Sequence, residues 1–542
     1  MIAALCAITL LAGIGTTALW EPDEPRFAEA TRQMLLRKDF ITPWFNDQPR
    51  FEKPVLLYWL QLPFFAVLGG TEAAARAPSV LAGFIAVLAT FALLRDLVST
   101  RAGLLAAASL ATTFRFVLYA RQGLTDVPVV AALTLGVWAM TRAVTRPSVW
   151  RAAYIAWVCA GAGILLKGPV GLLAPVIWTL WAWLCGGREA VRRTRPLTGI
   201  AIAAAIALPW YAVMLAVHGR AFLDVALGYE IVARYLSPEF PGRERGFFYF
   251  WGVWLGDGAP WSLFLLPAFW WAYAYRDRLL AEEIRVMQLA AVWFLTVLLV
   301  FSLSQYKLPH YILPAYPAMA LGVGVFANAA IQGRMPVLLW RAPTYVAVAA
   351  LIGCAVLLWL LMARVFGLQP LDASFVLPAL VASGAAIVGV AASSFAGTRP
   401  LAAFSALAGT LVITYGVLGV FIAPRELRRF QPVPVLADAI RRTVPPDEPL
   451  AVAGNYGAPG LVFYTHHHVR QLNTRAELVE FLAGAGRRHC VMPESELQAV
   501  ASRVHRPLRV EAQAGVFSVR MKRMLEHDPE RAARVLVLVT VE

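Results

Sequence analysis

The sequence predicts an all-α polytopic membrane protein that carries a small soluble α/β domain at its C-terminal end. The chain has 542 residues, of which 59% are hydrophobic, and its mean hydropathy is +0.63. Soluble domains contain roughly 45–50% apolar residues. Apolar runs of about 20 residues, long enough to cross a bilayer, recur along the chain as far as residue 423, and the composition then becomes ordinary.

Thirteen apolar runs predict about thirteen transmembrane helices within residues 1–423. The first run is a retained helix rather than a signal peptide, because no basic segment precedes it and Trp20-Glu21-Pro22 is a poor cleavage site. The predicted helices cover residues 2–19, 77–95, 102–118, 126–143, 152–166, 169–184, 197–217, 259–275, 286–302, 310–330, 343–362, 374–395 and 401–422.

The net charge of +15 follows from arginines in short loops, not from a surface for nucleic acid. The arginines fall in alternate connections, which the positive-inside rule assigns to the cytoplasm. The first long loop and the C-terminal tail then face outward. Of the five cysteines, four lie in apolar runs and one in the tail, so a disulfide framework is not expected.

Two outward loops are long enough to carry chemistry, at about 20–76 and about 218–258. The first is predicted to contain a helix that Asp23 caps, with Pro25 in its first turn. Residues 55–68 fit an interfacial or re-entrant helix about as well as a span. The second loop contains Glu230, Arg234 and an aromatic run at 247–254.

The tail, residues 424–542, is predicted to fold as an α/β domain outside the membrane. Helices are expected at 433–443 and 474–485, and strands at 450–453, 489–492 and 516–520. Three consecutive histidines at 466–468 are predicted to have a surface role, because neighbours in a strand point to opposite faces. No metal ligands are predicted.

Charged residues on the outward face are the strongest functional signal. Outward loops are usually poor in lysine, yet Lys53, Lys167 and Lys307 all lie there, with acids at Asp23-Glu24 and Asp126. Each lysine alone fits snorkelling to lipid headgroups, and each aspartate fits a helix cap. Together they favour a site for a lipid-borne phosphate. Glu52 either orients Lys53 or is structural.

Several motifs resemble the lipid A 4-amino-4-deoxy-L-arabinose transferases, within the protein O-mannosyltransferase-like (GT-C) glycosyltransferases that use polyprenyl-phosphate sugars. The motifs with the most specific match are LWEPDEPRFAE at 19–29 and FEKP at 51–54. Shorter ones are LKG at 166–168, APW at 259–261 and KLPHYILP at 307–314. The resemblance covers roughly residues 19–330, and beyond them only the layout of helices and an outer domain is similar.

This resemblance implies an inverting sugar transfer from an undecaprenyl-phosphate carrier to lipid A or another envelope acceptor. The reaction would take place on the periplasmic face of a bacterial inner membrane, in a fold with juxtamembrane helices in the first outer loop. Asp23 and Asp126 match the family's acids, and Glu24 accompanies Asp23 as a catalytic candidate. The candidate ligands of the carrier phosphate are Lys53, Lys167, Arg234, Lys307 and Tyr311. Phe27 and Arg50 stand where family members often have tyrosines, so sugar recognition is expected to differ.

Two alternatives stay open at this point. A polyprenyl-phosphate hexose or uronic acid is an alternative donor, with a protein or glycan as acceptor. A lipid or sugar transporter is less favoured, because transporters place charges near the midplane on repeated halves, and this chain shows no repeat. The sequence predicts no nucleotide cofactor and leaves a divalent metal open. The expected partners are the carrier-linked donor, the envelope acceptor and membrane lipids, without nucleic acid.

Overall fold

The structure, a computed structural model, describes residues 1–236, 245–365, 395–420, 431–454, 458–517 and 533–542. Most of the described chain is helical. The helices are α1 (Ile2–Cys6), α2 (Asp23–Arg37), α3 (Leu56–Leu68), α4 (Glu72–Leu97), α5 (Thr100–Ala111), α6 (Phe114–Ala120), α7 (Asp126–Thr145), α8 (Ala152–Lys167), α9 (Leu173–Arg193), α10 (Pro196–Leu223), α11 (Arg234–Leu236), α12 (Tyr249–Asp257), α13 (Ser262–Ala274), α14 (Ala281–Leu303), α15 (Tyr316–Ile331), α16 (Val337–Val365), α17 (Pro400–Val417), α18 (Pro432–Thr443), α19 (Ala458–Thr465), α20 (Arg475–Ala483) and α21 (Glu494–Ala501). The strands are β1 (Trp44–Phe45), β2 (Gln48–Pro49), β3 (Leu450–Ala453), β4 (Val469–Leu472), β5 (Arg488–Pro493), β6 (Leu508–Phe517) and β7 (Ala533–Val541).

Seven helices in the described ranges are long and apolar enough to cross a membrane. An eighth span results if α5 and α6, which meet at 69°, are taken together. Four shorter apolar helices, such as α3 and α13, add to these. The mostly helical membrane fold is therefore confirmed, whereas the count of thirteen spans stays a prediction. The helix predicted at 374–395 lies almost wholly outside the described residues.

The helix predicted at 102–118 is broken between α5 and α6. Thr112 and Thr113 bond back to the carbonyl groups of Ala108 and Ser109, at 2.6 and 2.8 Å. The indole of Trp261 donates to the Thr112 hydroxyl, and the hydroxyl of Tyr415 donates to the Thr112 carbonyl. These partners bond the hydroxyl and carbonyl groups of Thr112, which lie at the break where the helical hydrogen bonds do not continue.

The first apolar run also differs from the prediction of a helix over 2–19. α1 continues as a π-helix that ends at Leu11, and Gly13 has a φ of +73°, a conformation that suits glycine and ends helices. Beyond Gly13, the carbonyl groups of Ile14, Thr17 and Ala18 accept hydrogen bonds from the Arg76 guanidinium. The arginine therefore holds this stretch as an irregular segment.

The membrane core is built around α7 and α15. α7 packs against α4, α8 and α9, and α15 packs against α5 and α14. All sixteen residues of α15 except Ile331 are buried, and most of them are small. A Cβ atom on Gly324 would come within 2.9 Å of the Ala102 carbonyl oxygen. Such close backbone approach between membrane helices needs small residues.

The C-terminal domain is a five-stranded mixed sheet with helices on both faces. Its strand order is β4-β3-β5-β7-β6, in which β3 pairs in parallel with β4 and β5, and β7 pairs antiparallel with β5 and β6. Leu450 and Val452 face the helix α18, whereas Ala451 and Ala453 face α20 and α21. The predicted α/β domain is confirmed, and the sequence missed α19, α21, β4 and β7. The strand predicted at 516–520 overlaps β6 only at residues 516–517, and its remainder lies outside the described residues.

The C-terminal domain contacts the first outer loop through side chains that bond to backbone. Asn46 exchanges two 3.0 Å hydrogen bonds with the backbone of Val469 in β4. Gln431 exchanges a similar pair with Ala18. Glu21 accepts from the Gly460 amide at 2.7 Å. The domain therefore contacts both the start of α2 and the β1–β2 turn that follows α2.

We expect Asn46→Gly to weaken this contact, because it leaves the Val469 amide and carbonyl without their partners. Glycine keeps the φ of +51° that Asn46 adopts, so backbone strain is avoided. The loss should be about 1–3 kcal/mol, measured by thermal unfolding in detergent. The matched control is Asp47→Gly at the next turn position, whose ion pairs are exposed. If both variants lowered the stability equally, the hydrogen bonds between Asn46 and Val469 would not be the cause of the loss.

Candidate active site

A cavity of about 170 Å³ gathers cations from three distant segments. Lys53 follows β2, Lys167 is the last residue of α8, and Arg234 begins α11. All three line the cavity, together with Tyr311. The rest of the wall is mostly apolar and includes Val170, Trp210, Ala226, Ile231 and Phe301. Four of the five residues predicted as phosphate ligands therefore meet in one place.

Glu230 links two of these cations. The Lys53 ammonium donates to Glu230 Oε2, and Arg234 Nη2 lies 2.6 Å from Glu230 Oε1. Glu230 is only 6% exposed. Arg234 is also stacked against the rings of Tyr229 and Tyr306, at 5.5 and 5.2 Å. A guanidinium held between two rings has a fixed direction, which suits the recognition of an anion.

The third cation, Lys167, is paired with Asp126. Its ammonium lies 2.5 Å from Asp126 Oδ1, and Asp126 is buried. Asp126 begins α7 and Lys167 ends α8, so each charge lies at the helix terminus whose dipole favours it. Gly168, with a φ of +58°, then turns the chain sharply, which keeps the lysine at the helix end.

His310 and Tyr119 lie beside this pair. His310 Nε2 is 3.7 Å from Asp126 Oδ1, and its Nδ1 is 3.0 Å from the Tyr119 hydroxyl. The two rings are stacked with centroids 5.0 Å apart. Tyr311, the next residue, faces Lys167, whose ammonium is 5.4 Å from the ring centroid. Aromatic side chains therefore surround the Lys167–Asp126 pair.

Asp23 is the first residue of α2 and does not cap it. The preceding Pro22 occupies the N-cap position, and no side chain forms a capping hydrogen bond. The Asp23 carboxylate is therefore exposed instead of being used by its own helix. It lies close enough to His310, Tyr119 and Arg50 for its charge to act on them. The charges of Asp23 and Asp126 thus both act on His310.

Glu24, the second acid of the pair, is buried in an ion pair away from the cavity. Its carboxylate accepts from Arg76 Nε and Nη2 at 2.9 and 2.8 Å. It also accepts from the backbone amides of Trp20 and Gly123, at 2.7 and 2.6 Å. These four bonds use the carboxylate fully. The geometry therefore assigns Glu24 to holding the segment before α2 and leaves Asp23 as the free acid.

Lys307 differs from the other predicted cations. Its ammonium donates to the Ser304 carbonyl three residues back, and its side chain does not line the cavity. Burial lowers the pKa of Lys307 below its usual value. The charge of Lys307 is therefore used within its own turn.

Glu52 lines the cavity next to Lys53 but pairs with Arg50, at 3.3 Å. Arg50 is buried and its guanidinium lies 4.5 Å from the centroid of the Phe27 ring. Arg50 and Phe27 therefore stack on each other. Burial is the largest single influence and raises the pKa of Glu52, but Arg50, a backbone hydrogen bond, Arg26 and Lys53 together outweigh it, so the pKa is lowered. Glu52 is thus a counter-ion of Arg50.

The pKa of Lys53 is lowered from its ordinary value of 10.5. Burial is the main cause, and the neighbouring charges of Arg234 and Lys167 act in the same direction. Glu230 opposes them because its carboxylate favours the ammonium form. Lys53 is therefore a cation whose charge depends on the balance of the groups around it.

A second cavity, of about 180 Å³, lies on the other side of the Glu24–Arg76 pair. Trp20, Arg76, Arg121 and Tyr415 are among its lining residues. Arg121 donates to the carbonyl groups of Ala12 and Thr9. Across the described part of the chain, no three His, Cys, Asp or Glu side chains come together as metal ligands. The histidines at 466–468 precede β4, and His468 lies near Asp47 at the surface.

Three residues of the site had no assigned role in the sequence analysis: Glu230, His310 and Tyr119. Glu230 lies four positions before Arg234, a spacing at which opposite charges pair on a helix, so this signal was available. His310 lies in the motif at 307–314. Tyr119 had no such signal, because it reaches His310 only through the packing of α6, 191 residues away.

We expect Glu24→Gln to destabilise the protein without changing the cavity. The variant leaves the Arg76 guanidinium buried without its counter-charge, and breaking such a pair costs about 3–5 kcal/mol. Thermal unfolding in detergent should show a clear fall in Tm. Glu189→Gln is the matched control, since its pair with Arg193 is exposed and such pairs contribute about 0–1 kcal/mol. An unchanged Tm for Glu24→Gln would contradict the structural role.

Comparisons with known proteins agree with the motifs. The family model described as dolichyl-phosphate-mannose-protein mannosyltransferase matches residues 52–212. The undecaprenyl phosphate-alpha-4-amino-4-deoxy-L-arabinose arabinosyl transferase of Pectobacterium atrosepticum is 30% identical over 346 residues, which cover 62% of this chain and 59% of that protein. The enzyme of the same name from Photorhabdus laumondii is 29% identical, over 62% of this chain and 61% of its own length. The matched segment thus spans about three fifths of these relatives.

Solved structures show the same fold over nearly the whole chain. ArnT from Cupriavidus metallidurans, solved with undecaprenyl phosphate bound, matches with a TM-score of 0.75 and 20% identity, over 99% of this chain and 97% of ArnT. The oligosaccharyltransferase AglB from Archaeoglobus fulgidus matches with a TM-score of 0.55 and 14% identity, over 98% of this chain and 72% of AglB. The chain therefore has the same fold as ArnT, and its resemblance to the aminoarabinose transferases is confirmed.

Proposed function

We propose that this protein is a membrane glycosyltransferase that moves a sugar from a polyprenyl-phosphate carrier to an envelope acceptor. The observation that carries the proposal is the cavity in which Lys53, Lys167 and Arg234 converge from separate segments. Its remaining wall is largely apolar. A lipid phosphate has the same two parts, an anion that needs several donors and a hydrocarbon chain that needs apolar surface. The relatives named as undecaprenyl-phosphate aminoarabinose transferases support the same carrier.

The transfer requires a nucleophile to attack the anomeric carbon of the carrier-bound sugar. An oxygen of the acceptor forms the new bond to that carbon, and the bond from the carbon to the carrier phosphate breaks. The electron pair of the broken bond stays on the phosphate, which leaves as the polyprenyl phosphate. Lys53, Lys167 and Arg234 stabilise the charge that develops there. Attack from the face opposite the leaving phosphate inverts the anomeric centre.

Asp23 and Asp126 act on the acceptor and on the sugar. An exposed Asp23 orients the acceptor or removes its proton. Asp126, held by Lys167 at 2.5 Å, orients the sugar. If the acceptor is a phosphate, it is already ionised and needs no base, and both carboxylates then serve binding. A positively charged amino group on the sugar would suit two carboxylates near His310.

In its finer form, the proposal assigns 4-amino-4-deoxy-L-arabinose as the sugar, undecaprenyl phosphate as the carrier and lipid A as the acceptor. The reaction would take place on the periplasmic face of the inner membrane. These assignments rest on the relatives and on the motifs at 19–29 and 51–54. The Arg50–Phe27 stack beside the site is the feature that favours a second donor class, a hexose or uronic acid, because a buried guanidinium suits an acidic sugar.

Mass spectrometry of lipid A and envelope glycans tests the proposal directly. Cells with the gene should carry a sugar modification that cells without the gene lack. Asp23→Asn and Lys53→Ala, each checked for expression and Tm, should reduce it. Removing one donor to a developing charge lowers the rate about 100-fold or more. Full modification by both variants would contradict the site, and a missing mass difference between the strains would contradict the reaction.

The lowered pKa of Lys53 predicts how carrier binding depends on pH. The ammonium binds phosphate, so affinity for undecaprenyl phosphate should fall as pH rises through a range below 10.5, the ordinary value. Lys53→Arg remains charged throughout, because guanidinium has a pKa above about 12, and its fall in affinity should move to higher pH. Titrations between about pH 7 and 10, above the second ionisation of a phosphate monoester, measure this. Identical profiles for both proteins would contradict the assignment.

A further inference from the structure

Glu230 occupies the position that the proposed mechanism assigns to the carrier phosphate. Its carboxylate accepts from the Lys53 ammonium and lies 2.6 Å from Arg234 Nη2. Two of the three cations proposed to bind the phosphate are therefore already paired with one carboxylate, which balances only one of their two charges. A phosphate oxygen cannot reach the same donors while the carboxylate is there. The Glu230 carboxylate must therefore move away from Lys53 and Arg234 when the carrier phosphate enters.

The Glu230 carboxylate does not use all of its hydrogen-bonding capacity, which favours its replacement by the carrier phosphate. Glu230 Oε1 and Arg234 Nε are both buried, and neither forms a hydrogen bond with a residue that the structure describes. The 2.6 Å contact between Glu230 and Arg234 thus brings the charges together without a well-directed hydrogen bond. A phosphate, with three or four oxygens around one centre, offers acceptors in more directions than a carboxylate. It can use the Arg234 donor that Glu230 leaves unpaired.

The backbone at Arg234 is bonded to a second segment of the chain. The Arg234 carbonyl accepts from the Tyr306 amide at 3.1 Å and from the Ser304 hydroxyl at 3.3 Å. Glu230 belongs to a π-helical stretch, Asp224–Ala233, and such wide helical turns are rare overall but frequent at functional sites. The backbone that carries Arg234 is therefore anchored to the segment before α15, and the Glu230 carboxylate is paired with Lys53 and Arg234.

The charges around the cavity indicate how Glu230 affects the binding of the donor and of the product. Lys53, Lys167 and Arg234 face Asp126 and Glu230, and Glu52 is balanced by Arg50, which leaves one net positive charge. The sugar-bearing carrier is a phosphodiester with one negative charge. The product is a phosphate monoester with a charge of about −1.5 to −2 at pH 7. A nearby carboxylate therefore opposes the product more strongly than it opposes the donor.

We propose that Glu230 is a positioning residue that holds Lys53 and Arg234 in the empty site, yields them to the carrier phosphate, and promotes release of the polyprenyl phosphate product. This inference rests on the proposed function. It assigns to Glu230 no contact with the reacting carbon. It makes Glu230 the residue that sets the difference in affinity between donor and product.

Binding of undecaprenyl phosphate to the purified full-length chain tests the inference. Glu230→Gln keeps the shape of the side chain and removes its charge. We expect it to bind undecaprenyl phosphate at least about tenfold more tightly than the unsubstituted protein, since a like charge at this range shifts an ionic equilibrium by a unit or more. In turnover, KM and kcat should both fall, because product release slows. Glu189→Gln, at an exposed pair far along the chain, should bind as the unsubstituted protein does.

Equal or weaker binding by Glu230→Gln with an unchanged Tm would overturn the inference. If the variant does not fold, carbodiimide labelling of Glu230 in the unsubstituted protein serves as the test instead. Labelling should increase when undecaprenyl phosphate is bound, because the carboxylate loses its cation partners, and unchanged or reduced labelling would overturn the inference. Lys53→Ala separates the two claims: if it weakens binding and Glu230→Gln does not strengthen it, only the inference fails. If Lys53→Ala has no effect, the proposed phosphate site fails.

Discussion

The pairing of five charged side chains around one cavity is the interaction on which the candidate site depends. Glu230 pairs with Lys53 and Arg234, and Asp126 pairs with Lys167. Charges beside a membrane are costly unless they are paired or lie in a wet cavity. The pairs come from segments as far apart as 177 residues. Each pair therefore stabilises the approach of two elements and also prepares a donor for an anion.

The pair Glu24–Arg76 performs a different task a short distance away. It is one of the most buried ion pairs in the described ranges, with 1% and 2% exposure of the two side chains. Arg76 also binds three carbonyl groups of the irregular segment that precedes α2. The start of α2 is thus anchored to the helix bundle, and the C-terminal domain holds the same region from outside through Glu21, Gln431 and Asn46. Asp23 is left at an anchored helix end with a free carboxylate.

Sequence reasoning predicted much of this site because its strongest signal is local. Lysines on an outward face are unusual wherever they occur, so Lys53 and Lys167 could be identified one at a time. Their partners could not, since the contacts of Glu230 and His310 depend on how α7, α8 and the π-helical stretch pack. Lys307 shows the limit of this reasoning: it was predicted by the same signal, but its ammonium bonds to the Ser304 carbonyl within its own turn. The break between α5 and α6 was missed for the same reason, because it depends on Trp261 and Tyr415 from distant helices.

A structure determined by electron cryo-microscopy with undecaprenyl phosphate bound tests the central claim most directly. The phosphate is expected in the cavity of about 170 Å³, within hydrogen-bond distance of Lys53, Lys167 and Arg234, with its hydrocarbon chain along the apolar wall. Density for the phosphate in the second cavity, beside Arg121, with Lys53 and Arg234 still paired to Glu230, would contradict it.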